Sequence, residues 1–135
     1  MGKSVPYILV VDDNPGIRFL LTEALTGSGY RVETAAGGAE AINQVHNLTP
    51  DLILLDVKMP KLSGLETLTE IRKLVPDIPV IMMTAYTEMN QVWQAIETGQ
   101  VNNFLKKPFD LCELEESIKN LLSKNGPMDG VIHPV

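Results

Sequence analysis

The sequence predicts an α/β fold in which a five-stranded parallel sheet carries helices on both faces. Three observations predict it. Five short apolar runs alternate strictly with five stretches of helical period, the pattern left by successive strand–helix units. The run LILLD, Leu52–Asp56, is apolar without a break until its last residue, as a central strand covered on both faces must be. The connections between runs are short, which suits right-handed crossovers between parallel neighbours.

The first run, Tyr7–Val11, ends on the pair Asp12 and Asp13. Asn14 followed by Pro15 is a helix start, an N-cap ahead of the residue best tolerated at the first helical position. Ile17, Leu20, Leu21, Ala24 and Leu25 keep helical spacing until Gly27 and Gly29 end it. Over 30–34, Tyr30, Val32 and Thr34 alternate with Arg31 and Glu33, which predicts a strand near a sheet edge. A weaker helix is expected over about 38–47, with Ala41, Ile42 and Val45 on one side. After LILLD, the residues Lys58, Met59, Pro60, Ser63 and Gly64 predict a turn and loop, Pro fixing φ and Gly supplying torsions that other residues avoid.

Ser63 with Glu66 spells a capping box for a helix whose inner face is Leu65, Leu68, Ile71 and Val75, and Pro76 marks its end. The fourth apolar run, 80–83, stops on Thr84. A helix over about 87–98 carries Met89, Val92, Trp93 and Ile96 and terminates at Gly99. Asn103–Lys106 is a short fifth strand running into Lys107 and Pro108. Asp110 with Glu113 opens a last helix, with Leu111, Leu114, Ile118, Leu121 and Leu122 as its buried stripe. From Gly126 onward GPMDGVIHPV has no usable period and predicts a disordered end. One domain over 5–124 and a tail over 125–135 are therefore expected.

Composition sets the broad class. A chain of 135 residues, 44% hydrophobic and 21% charged, suits one domain that buries roughly two thirds of its unfolded surface. A formal net charge of -6 argues against a broad nucleic-acid surface, which needs clustered Lys and Arg. No stretch approaches the ~20 apolar residues of a membrane span. The start, MGKSVPYILVVDD, runs straight into a strand and acids, unlike a signal peptide, and Pro6 stands where a myristoylation motif needs Ser or Thr. A single cysteine, Cys112, leaves no internal disulfide and fits a reducing cytosol, so a cytoplasmic protein is expected.

A flavodoxin-like (βα)5 arrangement with strand order 2-1-3-4-5 brings the carboxyl ends of the strands together, where open α/β sheets place their sites. Those ends are Asp12 and Asp13, Asp56, Thr84 and Lys107. Singly, each has an ordinary reading as a helix-capping acid, a turn acid, a strand residue or a solvated charge; jointly, such readings must explain why five polar residues all fall at carboxyl ends. Three crowded carboxylates force a protonation unless a cation sits among them. Oxygen ligands with no histidine or thiol at hand suit Mg²⁺ or Mn²⁺, and Mg²⁺ readily takes a phosphate as a further ligand. Lys107 offers a point charge to one phosphate oxygen and Thr84 a hydrogen bond to another. Asp56 is left as the nucleophile that carries a phosphoryl group as an acyl phosphate, a labile linkage suited to a signal.

With VVDD at 10–13, LLDVKMP at 54–60, SG at 63–64, MTA at 83–85 and KPF at 107–109, the chain resembles the response-regulator receiver domains of two-component signalling over about residues 5–124. Within that family, DDNPGIRFLL, MTAY and KPFD resemble single-domain receivers of sporulation phosphorelays. The resemblance implies that Asp12, Asp13, Asp56 and the backbone carbonyl of Lys58 hold the metal, and that Asp56 accepts phosphate from a phosphohistidine on a histidine kinase or histidine phosphotransferase. It implies that Lys107 contacts the phosphoryl group, that the bond from Lys107 to Pro108 is cis, and that Thr84 and the switch aromatic Phe104 move inward together. Phosphorylation adds about -1.5 to -2 charge. Two new hydrogen bonds to a charged group, each roughly 1.5 to 3 kcal/mol, shift a balanced equilibrium by around 10² or more.

The match has one departure. Family members place the switch aromatic four positions after the glycine ending the fourth helix, whereas Gly99 and Phe104 are five apart, so GQVNNF holds one extra residue. Lys58 and Tyr86 occupy the two positions that tune phosphoryl lifetime in the family. An ordinary Lys is protonated and Tyr neutral at pH 7, so neither activates water, and slow self-hydrolysis is expected.

By resemblance, Gly16, Ile17 and Leu20 on the first helix and Pro108 and Phe109 on the neighbouring loop form the partner dock; Ile17 and Leu20 read equally well as core. His46 reads as a solvated helix residue, His133 lies in the tail, and Cys112 reads as a semi-buried inert thiol. Trp93, Met82, Met83 and Met89 read as packing residues, with a partly exposed patch as the alternative for Trp93.

Three functions are weighed: a stand-alone relay or signalling module, a monomer or weak dimer that touches neither nucleic acid nor membrane; a receiver cut from a longer DNA-binding regulator; and a metal-dependent phosphohydrolase or flavodoxin-like cofactor binder. The last expects either a second acid where Lys58 stands or a Gly-rich loop where DDNPG stands.

Overall fold

Strand β3 (Leu52–Asp56) is buried along its whole length, and the sheet is built outward from it. The computed structural model describes residues 5–124. The other strands are β1 (Tyr7–Val11), β2 (Arg31–Ala35), β4 (Val80–Thr84) and β5 (Asn103–Lys106), and the sheet order is β2-β1-β3-β4-β5, as expected. Every pairing is parallel. The continuous apolar runs of β1, β3 and β4 are fully covered, whereas β2 at the edge alternates and buries only Ala35, because an edge strand has one helix-covered face and one open side.

The helices are α1 (Pro15–Gly27), α2 (Gly38–Asn47), α3 (Gly64–Leu74), α4 (Met89–Glu97) and α5 (Leu111–Lys124). Alternate residues of each strand feed two separate cores. Leu9, Ile53 and Met82 meet Ala41 of α2, Leu68 of α3 and Val92 of α4 on one face. Ile8, Leu54 and Met83 meet Leu21 and Leu25 of α1 and Leu114 and Ile118 of α5 on the other. Removing a fully buried leucine such as Leu54 costs about 2–5 kcal/mol in such a core.

Caps set the helix starts that face the site. Asn14 accepts from the amides of Gly16 and Ile17, with Pro15 in the first turn. Ser63 and Glu66 close the predicted capping box on α3. The last helix begins with the Asp110 side chain accepting from the Cys112 amide at 2.9 Å.

The structure departs from the sequence reading in several places. β2 starts at Arg31 because the Tyr30 amide bonds to the Leu25 carbonyl, inside the end of α1, at 3.1 Å. The helix expected over about 87–98 is a 3-10 turn, Tyr86–Glu88, followed by the shorter α4. Gly64 does not supply an unusual torsion: positive φ in that loop belongs to Lys61, at 67°. Gly64 is required for space, since a Cβ there would collide with the Asp56 carbonyl oxygen. Cys112 is exposed rather than semi-buried. Trp93 is half-exposed, and its ring meets Phe104 in a T-shaped contact at 5.7 Å between centroids. His46 is exposed on α2 as expected; His133 and the tail over 125–135 lie outside the described residues.

Candidate functional site

Two strand ends deliver three acids to one place. Asp12 follows β1 and is fully buried, Asp56 closes β3 and is nearly so, and Asp13 is exposed. One carboxylate oxygen from each lies within 4.8 Å of the others. Oxygen donors at that spacing, one facing solvent and two held by the fold, suit a hard divalent cation. Lys58, whose carbonyl the family resemblance adds to the set, is exposed in the connection after β3.

Asp12 is held from every side. Its Oδ1 accepts from the Asn14 amide at 2.9 Å, its Oδ2 from Lys107 Nζ at 3.3 Å, and its backbone carbonyl from Arg18 Nη1 at 2.8 Å. Lys107 also reaches Asp56 Oδ1 at 2.8 Å, so one ammonium bridges acids from two strands. The position of Lys107 is set by its amide, which donates to the Thr84 carbonyl at 2.8 Å, and the Lys107–Pro108 bond is cis. Thr84 is buried, and its hydroxyl donates to the Ala85 carbonyl at 3.0 Å.

Burial pushes the Asp56 carboxyl up to about 6, the hydrogen bond from Lys107 opposes that rise, and the negative charges of Asp12 and Asp13 add to it. Burial also works against the charged form of Lys107, but its bonds to Asp56 and Asp12 outweigh burial and leave its pKa raised. The two results agree physically: one ammonium is shared by more acids than it can neutralise. A divalent cation among the three carboxylates would supply the charge that one ammonium cannot.

The segment GQVNNF joins α4 to β5. Gly99 takes φ of 82° after α4, Asn102 donates its amide to the Val80 carbonyl at 3.0 Å, and Phe104 pairs with Met82 in register. Phe104 therefore shares a sheet face with Thr84 two positions on. Arg72 of α3 clamps this loop, giving Nε and Nη2 to the Gln100 carbonyl at 2.9 and 2.6 Å.

The docking candidates separate. Ile17 and Phe109 are partly buried against the α1–α5 core, while Gly16, Leu20 and Pro108 are exposed. Phe19, which helical spacing does not single out, is 68% exposed beside Leu20. Arg18, Arg72 and Glu88 were also missed. For Arg18 a signal existed: a cation in the first turn of a helix opposes the macrodipole, so an arginine there needs a local partner. Arg72, in the last turn where cations belong, gave none.

Comparison with known proteins supplies the context. Residues 8–119 match the family described as response regulator receiver domain. The sporulation initiation phosphotransferase F of Bacillus subtilis is 41% identical over 85% of this chain and 92% of its own length. The response regulator MprA of a Mycobacterium species is 37% identical over 94% of this chain, which spans only 55% of that relative. The crystal structure of the receiver domain of NtrX from Brucella abortus superposes with a TM-score of 0.82 at 32% identity, over 87% of this chain and 99% of that one.

Proposed function

Since this chain belongs to the response regulator receiver domain family, whose members are phosphoacceptor signalling modules rather than true enzymes, we propose that it is a phosphorelay receiver that takes a phosphoryl group on Asp56 from a phosphohistidine. The observation that carries this reading is the meeting of Asp12, Asp13, Asp56 and Lys107 at the strand ends, with Lys107 Nζ 2.8 Å from Asp56 Oδ1. An Asp56 oxygen forms the new P–O bond as the P–N bond breaks, and the partner imidazole keeps that electron pair. Lys107 stays beside the acceptor and balances charge on the phosphoryl oxygens. Thr84, freed from Ala85, donates its hydroxyl to another, and Phe104 follows it on the same face.

Asp12, Asp13, Asp56 and the Lys58 carbonyl would hold Mg²⁺ or Mn²⁺, which when bound supplies the positive charge that lets the acids and an incoming phosphate coexist. The partner is a histidine kinase or histidine phosphotransferase, met by Gly16, Leu20 and Pro108, with Ile17 and Phe109 as the packed floor of the dock. In this reading the protein acts in the cytosol as a monomer or weak dimer. Among the described residues no helix is long and apolar enough to cross a membrane.

Similarity over 92% of the sporulation phosphotransferase favours a stand-alone relay. The half-length match to MprA supports a second reading, a receiver joined to a further domain. Incubation with Mg²⁺ and a small acyl phosphate, followed by intact mass, tests the acceptor. One added phosphoryl group that disappears in Asp56→Ala supports the assignment, and uptake that survives the substitution refutes it. Lys58 and Tyr86 provide no base for water, so the phosphoryl group persists far beyond seconds; decay within seconds would contradict relay function.

A further inference from the structure

The connection from β4 to α4 holds a polar arrangement that acceptor chemistry alone does not require. Ala85 follows Thr84, and both of its backbone groups are engaged. Its N–H donates to Glu88 Oε1 at 3.1 Å. Its carbonyl accepts the Glu88 N–H at 3.0 Å and the Thr84 hydroxyl at 3.0 Å. Ala85 and Glu88 thus form a reciprocal pair three residues apart, with the logic of a capping box, around the 3-10 turn Tyr86–Glu88. Glu88 is also the N-cap residue of α4, yet its side chain makes no capping bond to that helix. It turns back onto the strand end instead.

We propose that Glu88 is a latch on Thr84: by holding the Ala85 amide it keeps the Ala85 carbonyl where that carbonyl captures the Thr84 hydroxyl, and phosphorylation of Asp56 must open the latch to recruit that hydroxyl. A hydroxyl has one hydrogen, so Thr84 donates either to Ala85 or to a phosphoryl oxygen. The bond from the Ala85 amide to a carboxylate is charge-assisted and stronger than a neutral one, which biases the resting arrangement. Glu88 lines a groove with Val57, Lys58 and Met59 of the connection that follows Asp56. Glu88 therefore lies beside the connection that leaves the acceptor Asp56, on which phosphorylation adds negative charge. Because Glu88 also begins α4, opening the latch moves the helix that carries Trp93 and, through it, the Phe104 contact. Glu88 is a positioning residue that acts through Ala85 and Thr84.

The inference rests on the acceptor role proposed for Asp56, and its test separates the two. Wild type, Glu88→Ala and Glu88→Gln are compared for the rate of phosphoryl uptake from a small acyl phosphate with Mg²⁺, for affinity toward beryllium fluoride, and for Trp93 fluorescence. Loss of one charge-assisted bond from the resting state alone raises both uptake rate and affinity in Glu88→Ala by about tenfold, with Trp93 emission of the free protein shifted toward its beryllium fluoride-bound value. Glu88→Gln keeps an acceptor oxygen at the same reach and falls between, at about threefold; it carries the test alone should Glu88→Ala not fold. If Glu88 only stabilises the turn, the variants lose thermal stability while uptake and affinity stay level or fall, and the latch is refuted. Uptake by wild type with no gain in either variant removes the latch alone, whereas no uptake by wild type removes the acceptor role and the latch together.

Discussion

Lys107 Nζ stands 2.8 Å from Asp56 Oδ1 and 3.3 Å from Asp12 Oδ2, so a single ammonium from the end of β5 serves carboxylates from β1 and β3. The acids outnumber it, and the imbalance has measurable consequences.

Burial, with the neighbouring acids adding to it, makes ionised Asp56 a cost to stability. Its folded pKa of about 6 exceeds the ordinary 3.8, so the folded protein holds the proton more tightly than the unfolded chain does. That stabilisation is complete below about 3.8 and is lost as pH rises through 6. In the absence of divalent cations, Asp56→Asn is therefore more stable than wild type at pH 7.5, by up to about 3 kcal/mol, and the gap narrows toward pH 3.5. Urea unfolding at both pH values measures this; an Asn variant no more stable at pH 7.5 would show that Lys107 already balances the cluster.

A cation that binds only the folded form raises stability with its concentration, by about 2.7 kcal/mol at a hundredfold excess over Kd. Mg²⁺ is expected to raise Tm more at pH 7.5 than at pH 5, because protonated Asp56 is a poorer ligand. Asp13 is exposed, so Asp13→Asn tests the site without disturbing the core: Mg²⁺ affinity falls by about tenfold or more while metal-free stability holds or rises, since the Asp13 charge opposes ionisation of Asp56. Equal Mg²⁺ affinity in the two proteins would exclude Asp13 from the ligand set.

Gly64 and Gly27 should respond in opposite ways to alanine. A Cβ on Gly64 meets the Asp56 carbonyl and comes within 2.8 Å of Val57 Cα, backbone that cannot yield cheaply. Gly64→Ala is expected to lose about 1–3 kcal/mol and to slow phosphoryl uptake by displacing the end of β3. Nothing lies within 4 Å of a Cβ on Gly27, so Gly27→Ala is neutral or stabilising by up to about 1 kcal/mol. Denaturation and uptake rates of the pair decide the point, and a tolerated Gly64→Ala would contradict the packing argument.

Arg72 bonds the carbonyls of Gln100, Pro76 and Ile78, the last at 2.6 Å. Arg72→Met leaves half-buried carbonyls without donors and should destabilise the protein by about 2–4 kcal/mol. Arg72→Lys recovers little, because a point charge cannot reproduce the fork. Hydrogen exchange at Asn102 and Phe104 is expected to rise in both variants, and full rescue by lysine would overturn the clamp.

Leu20 and Ile17 distinguish dock from core. Leu20 is 45% exposed, so Leu20→Ala is expected to change stability by no more than about 0.5 kcal/mol while slowing phosphoryl transfer from a histidine partner severalfold. Ile17 packs against the core, and Ile17→Ala should lose more stability than Leu20→Ala. Phe19→Ala should resemble Leu20→Ala. Unchanged transfer in both Phe19→Ala and Leu20→Ala would move the dock away from α1.

The sequence by itself determined the five strand–helix units, the two faces of the sheet and the placing of Asp12, Asp13, Asp56, Thr84 and Lys107 at carboxyl ends. These follow from local regularities: a side-chain period of two in strands and 3.6 in helices, capping residues at Asn14 and Ser63, and unbroken apolar runs in β1, β3 and β4. Tertiary structure alone decided that Lys107 is shared by Asp12 and Asp56, that Gly64 is needed for room and not for its torsion, that Arg72 grips a loop 28 residues away, and that Glu88 turns back to the Ala85 amide rather than capping α4. Each of these depends on side-chain direction and on distances between segments that the chain order does not encode. Helical spacing likewise could not separate Ile17 from Leu20, because the edge of an apolar stripe is drawn by what packs against it.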